Sequence, residues 1–84
     1  MINMCFLNGK IVSEIEFNFI LNSKNISIVN FLLELNNKTV VSVKGYNEIA
    51  DFCYSKLDIG DYIIVYGRMN SKMEIIIEEI NFMK

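Results

Sequence analysis

Apolar positions along the chain switch between two spacings, and the switches divide it into short elements. Met4–Val12 mixes apolar residues with Asn8 and Gly9 and reads as a first strand, its glycine permitting a sharp coil. After Ser13-Glu14, residues Ile15, Phe17, Phe19 and Leu21 alternate with Glu16, Asn18 and Asn22, so one face of that segment is expected to be dry. Asn22–Asn25 is a turn by composition, and Ile26–Leu35 is a second long strand with Val29, Phe31, Leu33 and Leu35 inward. Asn36-Asn37 fits a two-residue hairpin, because Asn tolerates the positive φ such turns demand. Thr39–Lys44 follows with Val41 and Val43 inward, which sends Lys38, Val40, Ser42 and Lys44 to the outer face.

The spacing then becomes helical. Ile49, Phe52, Cys53 and Leu57 mark one apolar face, with Glu48, Asp51, Ser55 and Lys56 off it, and Gly60 is expected to close the helix in the left-handed conformation. Tyr62–Tyr66 returns to alternation. Ile63, Val65 and Gly67 form its inner row and Tyr62, Ile64, Tyr66 and Arg68 its outer row. Asn70-Ser71 is another tight turn, and Glu74–Phe82 is a last strand with Ile75 and Ile77 inward and a slip at Glu78-Glu79. Five strands with one helix between the third and fourth predict an all-β, five-stranded Greek-key barrel of the oligonucleotide/oligosaccharide-binding type (OB-fold). The helix caps one open end, and residues 1–84 form a single domain.

Composition narrows the function. The 84 residues are 52% hydrophobic, with no Pro, His or Trp, too apolar for disorder, and no apolar run approaches the ~20 residues of a spanning helix. No secretion signal is read at the N-terminus, which points to the cytoplasm. A chain this short gains from sharing surface with copies of itself. Cys5 and Cys53 stand far apart with no histidine to complete a metal site, and both read as buried thiols. Catalysis needs a poised base, a nucleophile pair or a metal, and Asp58, Asp61, Glu74, Glu78 and Glu79 read as turn and strand-surface charges. No enzyme activity, cofactor, small-molecule substrate or membrane partner is expected. With a net charge of −2, the chain must gather its eight basic residues on one face to hold a polyanion.

Four stretches carry a likeness: Phe6-Leu7-Asn8-Gly9-Lys10-Ile11, Asn30-Phe31-Leu32-Leu33, Val41-Ser42-Val43-Lys44-Gly45, and Ile59 through Met69 with its Gly67-Arg68-Met69 end. In this order they resemble the bacterial single-stranded DNA-binding protein family over nearly the whole chain. Primosomal replication protein B shares the barrel. The resemblance implies single strands wrapped over the outer sheet and its hairpin loops, with bases stacked on aromatic rings. The chain departs from that pattern in four ways. Lys38 and Lys44 stand where the family carries stacking aromatics, both hairpin loops are cut almost to minimal turns, the helix segment is slightly longer, and no acidic tail is read after Phe82.

Stacking is worth ~1–3 kcal/mol per base, so the missing rings must be offset by charge and by other aromatics. Lys10, Lys38, Lys44, Arg68 and Lys72 are the candidate phosphate track, and Tyr46 and Tyr66 the candidate rings. The bland counterparts are a solvated lysine face and, for Tyr62 and Tyr66, a subunit interface. The leading expectation is a single-stranded nucleic-acid-binding protein, DNA favoured over RNA, accessory to replication, recombination or repair. It assembles as a homodimer or homotetramer that pools charge. The alternative is a protein-interaction or assembly module that kept the barrel and lost the nucleic-acid site, with Met4, Phe6, Tyr62, Ile64 and Tyr66 as its partner surface.

Overall fold

The computed structural model describes residues 4–20 and 26–83. The predicted turn over 22–25 and the facing of Leu21 lie outside the described residues. The chain order is β1 (Met4–Ile11), β2 (Glu16–Ile20), β3 (Ile26–Leu35), β4 (Val40–Tyr46), α1 (Glu48–Lys56), β5 (Tyr62–Met69) and β6 (Ile75–Phe82). Neighbouring strands run β1-β5-β6-β4-β3, and β1 returns to pair with β3, which closes a five-stranded ring. The helix follows the third strand of that ring, as the sequence predicts.

β2 stands outside the ring. β3 is long enough for its one edge to be shared: Gly9–Ile11 of β1 takes Leu33–Leu35, and Glu16–Ile20 takes Ile26–Asn30. Between the two, Val12 N–H donates to the Leu32 carbonyl and Leu32 N–H donates to Ser13 Oγ at 2.8 Å, so the crossover leaves no gap in β3's hydrogen bonding. The alternating segment after Ser13-Glu14 is thus an arm on the barrel, and its far end projects beyond the core. Ile15 and Phe17 of the expected dry face pack against the core, but Phe19 of the same face is 53% exposed, as is Ile20 beside it at 42%.

Strand parity fills the interior. Ile11, Val29, Phe31, Leu33, Val43, Ile63, Val65, Ile75 and Ile77 are buried, and Leu35 and Val41 pack against them from the rim. The helix plugs the open end with Cys53, Ala50 and the following Leu57, while Ile49 and Phe52 cover the edge. Burial pushes the Cys53 thiol up to about 12. The predicted slip is a bulge: Tyr66 faces Glu79 while Gly67 faces Ile77, leaving Glu78 as the extra residue. Gly67 lies so close to β6 that a Cβ there would run into the Ile76 carbonyl oxygen.

Two loop predictions are corrected. The helix stops at Leu57, whose backbone is extended (φ −103°, ψ 147°) so that its side chain turns into the core. Gly60, at φ 95°, belongs instead to the turn after it, where Asp58 N–H donates to Asp61 Oδ2 and Asp61 N–H to the Asp58 carbonyl. The hairpin after β3 has three loop residues. Lys38 N–H donates to the Leu35 carbonyl, Leu35 N–H to the Thr39 carbonyl, and the positive φ of 72° falls on Lys38, with neither Asn adopting it. The β5–β6 hairpin repeats the design: Met73 N–H donates to the Asn70 carbonyl, Asn70 N–H to the Glu74 carbonyl, and Met73 takes φ 66°.

Candidate functional site

β4 and β6 run parallel, with Val43 beside Ile75 and Lys44 beside Ile76. Each is entered from one of the three-residue hairpins, so both hairpins emerge at the same end of this strand pair. Lys38 sits in one and Lys72 in the other. Lys38 was expected on the outer row of the strand; its left-handed backbone instead places it in the loop, two residues before β4 begins.

Across the outer surface, cross-strand pairing sets Asn30, Lys44, Ile76, Arg68 and Met4 in one transverse row. Strands lie ~4.8 Å apart, so the Lys44 and Arg68 backbones are separated by about 10 Å. Tyr46 follows Lys44 on the same face of β4, about 7 Å further along. Lys72 joins this group through Glu74. The Glu74 carboxylate accepts from Asn70 Nδ2 at 2.9 Å and pairs with Lys44 Nζ at 3.4 Å. Its pKa is held below the ordinary carboxylate value first by the Asn70 hydrogen bond; desolvation opposes this as the next-largest effect, and the charge and hydrogen bond of Lys44 and the charge of Lys72 add to the lowering. Arg68 is likewise engaged: its Nε and Nη2 both reach Glu78 Oε2 at 2.9 Å. The strand cations therefore sit among carboxylates, Glu74 just before β6 and Glu78 within it, and the row is close to neutral.

Lys10 belongs to a second group. It lies opposite Tyr62 on β5 and Glu34 on β3, and with Lys38, Asn36 and Tyr62 it lines a cavity of about 180 Å³ at the β3–β4 hairpin. Tyr66 is apart from both lysine groups, paired across strands with Phe6 on one side and Glu79 on the other. The seven predicted residues thus form two clusters, Lys44-Tyr46-Arg68-Lys72 and Lys10-Lys38, with Tyr66 between β1 and β6. Three exposed apolar groups stand beside them; from the sequence, Val40 was assigned to the outer face and Phe6 to the alternative partner surface, while Leu32 was passed over. Leu32 and Val40 lie exposed on the outer face between the clusters, and Phe6, 68% exposed, flanks the β3–β4 hairpin with Asn36 and Asn37. Leu32 was legible as the outward apolar residue in an alternating strand.

Charge is segregated along the molecule. Six of the ten carboxylates, Glu14, Glu16, Glu48, Asp51, Asp58 and Asp61, belong to the β1–β2 connection, the start of β2, the helix and the turn after it. Lys56 is the one described cation on those segments. The other five described cations share the remaining surface with Glu34, Glu74, Glu78 and Glu79. No group of three or more His, Cys, Asp or Glu among the described residues could hold a metal ion. No helix among the described residues is long and apolar enough to cross a membrane.

Neither a family model nor a curated protein matches the sequence. Solved structures do match the fold. The SSB domain of a Synechococcus protein superposes with a TM-score of 0.83 at 15% identity, covering 96% of this chain and 96% of that one. The single-stranded DNA binding protein from Thermus aquaticus gives 0.84 at 20% identity over 99% of this chain and 41% of its own. Protein PriB from Ralstonia solanacearum gives 0.82 at 17% identity, with both chains covered completely. The likeness establishes the shared barrel.

Proposed function

We propose that this chain, a single OB-fold domain, binds single-stranded nucleic acid, DNA in preference to RNA, as an accessory to replication, recombination or repair. The observation that carries the reading is the pair of lysine-bearing hairpins opening at one end of the parallel β4–β6 pair, with Lys44 and Tyr46 on the strand they flank. The carboxylate-rich helix end leaves this the surface on which a polyanion meets least repulsion. Two structures that share the barrel are named for single-stranded DNA binding or as an SSB domain.

In this reading Lys72, Lys44 and Arg68 track phosphates along the transverse row, and Lys10 and Lys38 do so at the β3–β4 hairpin. Tyr46 and Tyr66 offer ring faces to bases. Copies of the chain assemble in the cytoplasm as a homodimer or homotetramer, which lengthens the cationic path. Binding then depends steeply on salt, since each neutralised phosphate releases counterions. Titration of fluorescent oligo-dT with the full chain across a salt series tests this. Saturable binding that weakens as salt rises is expected, and no binding at low salt would refute it.

A further inference from the structure

β2 ends the sheet, pairing with β3 on one edge and with no strand on the other among the described residues. An open edge presents unpaired N–H and C=O groups and is ordinarily covered or blunted. Here it is bordered by uncovered apolar surface. Tyr54 of the helix stacks on Phe17 of β2, ring centroids 4.5 Å apart at 32°, yet Tyr54 remains 62% exposed. Beside this pair a groove of about 290 Å³ runs between the β1–β2 connection and the end of the helix, walled by Ile15, Leu57 and the exposed Ile59. Glu14 and Asp58 stand at its lip. Asp51, one helical turn before Tyr54, adds a third carboxylate on the same helix face.

We propose that the open edge of β2 and this groove take an extended, lysine- or arginine-rich segment of a protein partner, added to the sheet as a further strand. Main-chain hydrogen bonds to β2 supply attachment, and alternate side chains meet the flanking surface. Apolar positions of the segment cover Phe17, Tyr54 and Ile59, and basic positions face the carboxylates. The charge decides among occupants. A second copy paired through β2 would bring two sets of the same carboxylates together, and a nucleic-acid strand would meet them with phosphates; a cationic peptide alone gains from them. The site is separate from the surface proposed for nucleic acid, so the two are testable independently.

The full chain is titrated with a fluorescein-labelled heptapeptide of alternating lysine and valine, and with a glutamate–valine heptapeptide of reversed charge, while backbone amides are followed by nuclear magnetic resonance. The lysine peptide is expected to bind at low salt, to shift amides of Glu16–Ile20, and to exceed the glutamate peptide in affinity by about tenfold or more. In an Asp51→Lys/Asp58→Lys variant that preference reverses. Equal binding of both peptides, amide shifts confined to other strands, or amides of Glu16–Ile20 that shift with protein concentration in the absence of peptide, as pairing with a second copy requires, would each overturn the proposal. Should the variant not fold, the comparison of the two peptides on the unaltered chain decides the matter alone.

Discussion

Removing the negative charges that hold Lys44 and Arg68, by Glu74→Gln with Glu78→Gln, tests whether these cations serve a polyanion. Gln preserves the acceptor oxygen for Asn70 Nδ2 and keeps side-chain size, so the hairpin should survive. Two cations now occupied at 3.4 and 2.9 Å become available. Each phosphate neutralised on a single strand contributes about 0.7 to the slope of log affinity against log salt; in the unaltered chain each carboxylate freed on binding takes up a salt cation and offsets that release, so removing both carboxylates steepens the slope by about 1.4. Between 50 and 250 mM salt the variant should lose affinity by about a tenfold larger factor than the unaltered chain, and at the low-salt end it should bind several-fold more tightly. Anisotropy of labelled oligo-dT over five salt concentrations measures both. An unchanged slope, or weaker binding at every salt, would show that these cations do not meet phosphates and would refute the track.

Asn47 holds φ 56° and ψ −118° with no side-chain cap bond, a conformation suited to glycine, so Asn47→Gly should raise stability by about 1 kcal/mol and the melting temperature by about 4–8 °C by calorimetry. Gly67→Ala drives a Cβ into the Ile76 carbonyl and should lower stability by about 1–3 kcal/mol in urea unfolding. Glu74 has a folded-state pKa below its unfolded one, so its stabilisation is present above the unfolded pKa and is lost as pH falls through the folded one. The urea midpoint of the unaltered chain should therefore drop further between about pH 5 and 3 than that of Glu74→Gln. Cys53, its thiol pushed up to about 12 by burial, should resist a thiol-specific dye at pH 8 in a Cys5→Ser background and react on unfolding in urea.

The core was legible because a strand with one buried face writes its facing into every second residue, and Val29 through Leu33, Val43, Ile63, Val65, Ile75 and Ile77 obey that rule. The arm was harder to place. Period two looks the same in a strand that closes a barrel and in one that lies against its outside, so nothing in Phe17-Asn18-Phe19 separates the two. Ala50 was overlooked because a methyl group carries little periodic weight, although it is fully buried against the ring. In both hairpins the sequence advertised Asn, yet the left-handed residue is Lys38 or Met73, since turn length fixes which position must take positive φ. The candidate site was the least readable part. Lys44 and Glu74 meet only because β4 and β6 lie side by side and parallel, a relation between strands thirty residues apart that leaves no local trace.

That parallel contact is the shortest join in the ring, carried by two residue pairs where β1–β5 has seven. Antiparallel hairpins β3–β4 and β5–β6 can zip locally, whereas this seam must await the long connection through the helix, and it should be the last to close and the first to part. Lys44 and Glu74 fasten the seam from outside like a clasp. A polyanion that draws Lys44 away would undo that clasp at the moment of docking, so occupancy and the tightness of the cylinder are tied to each other through one ammonium group.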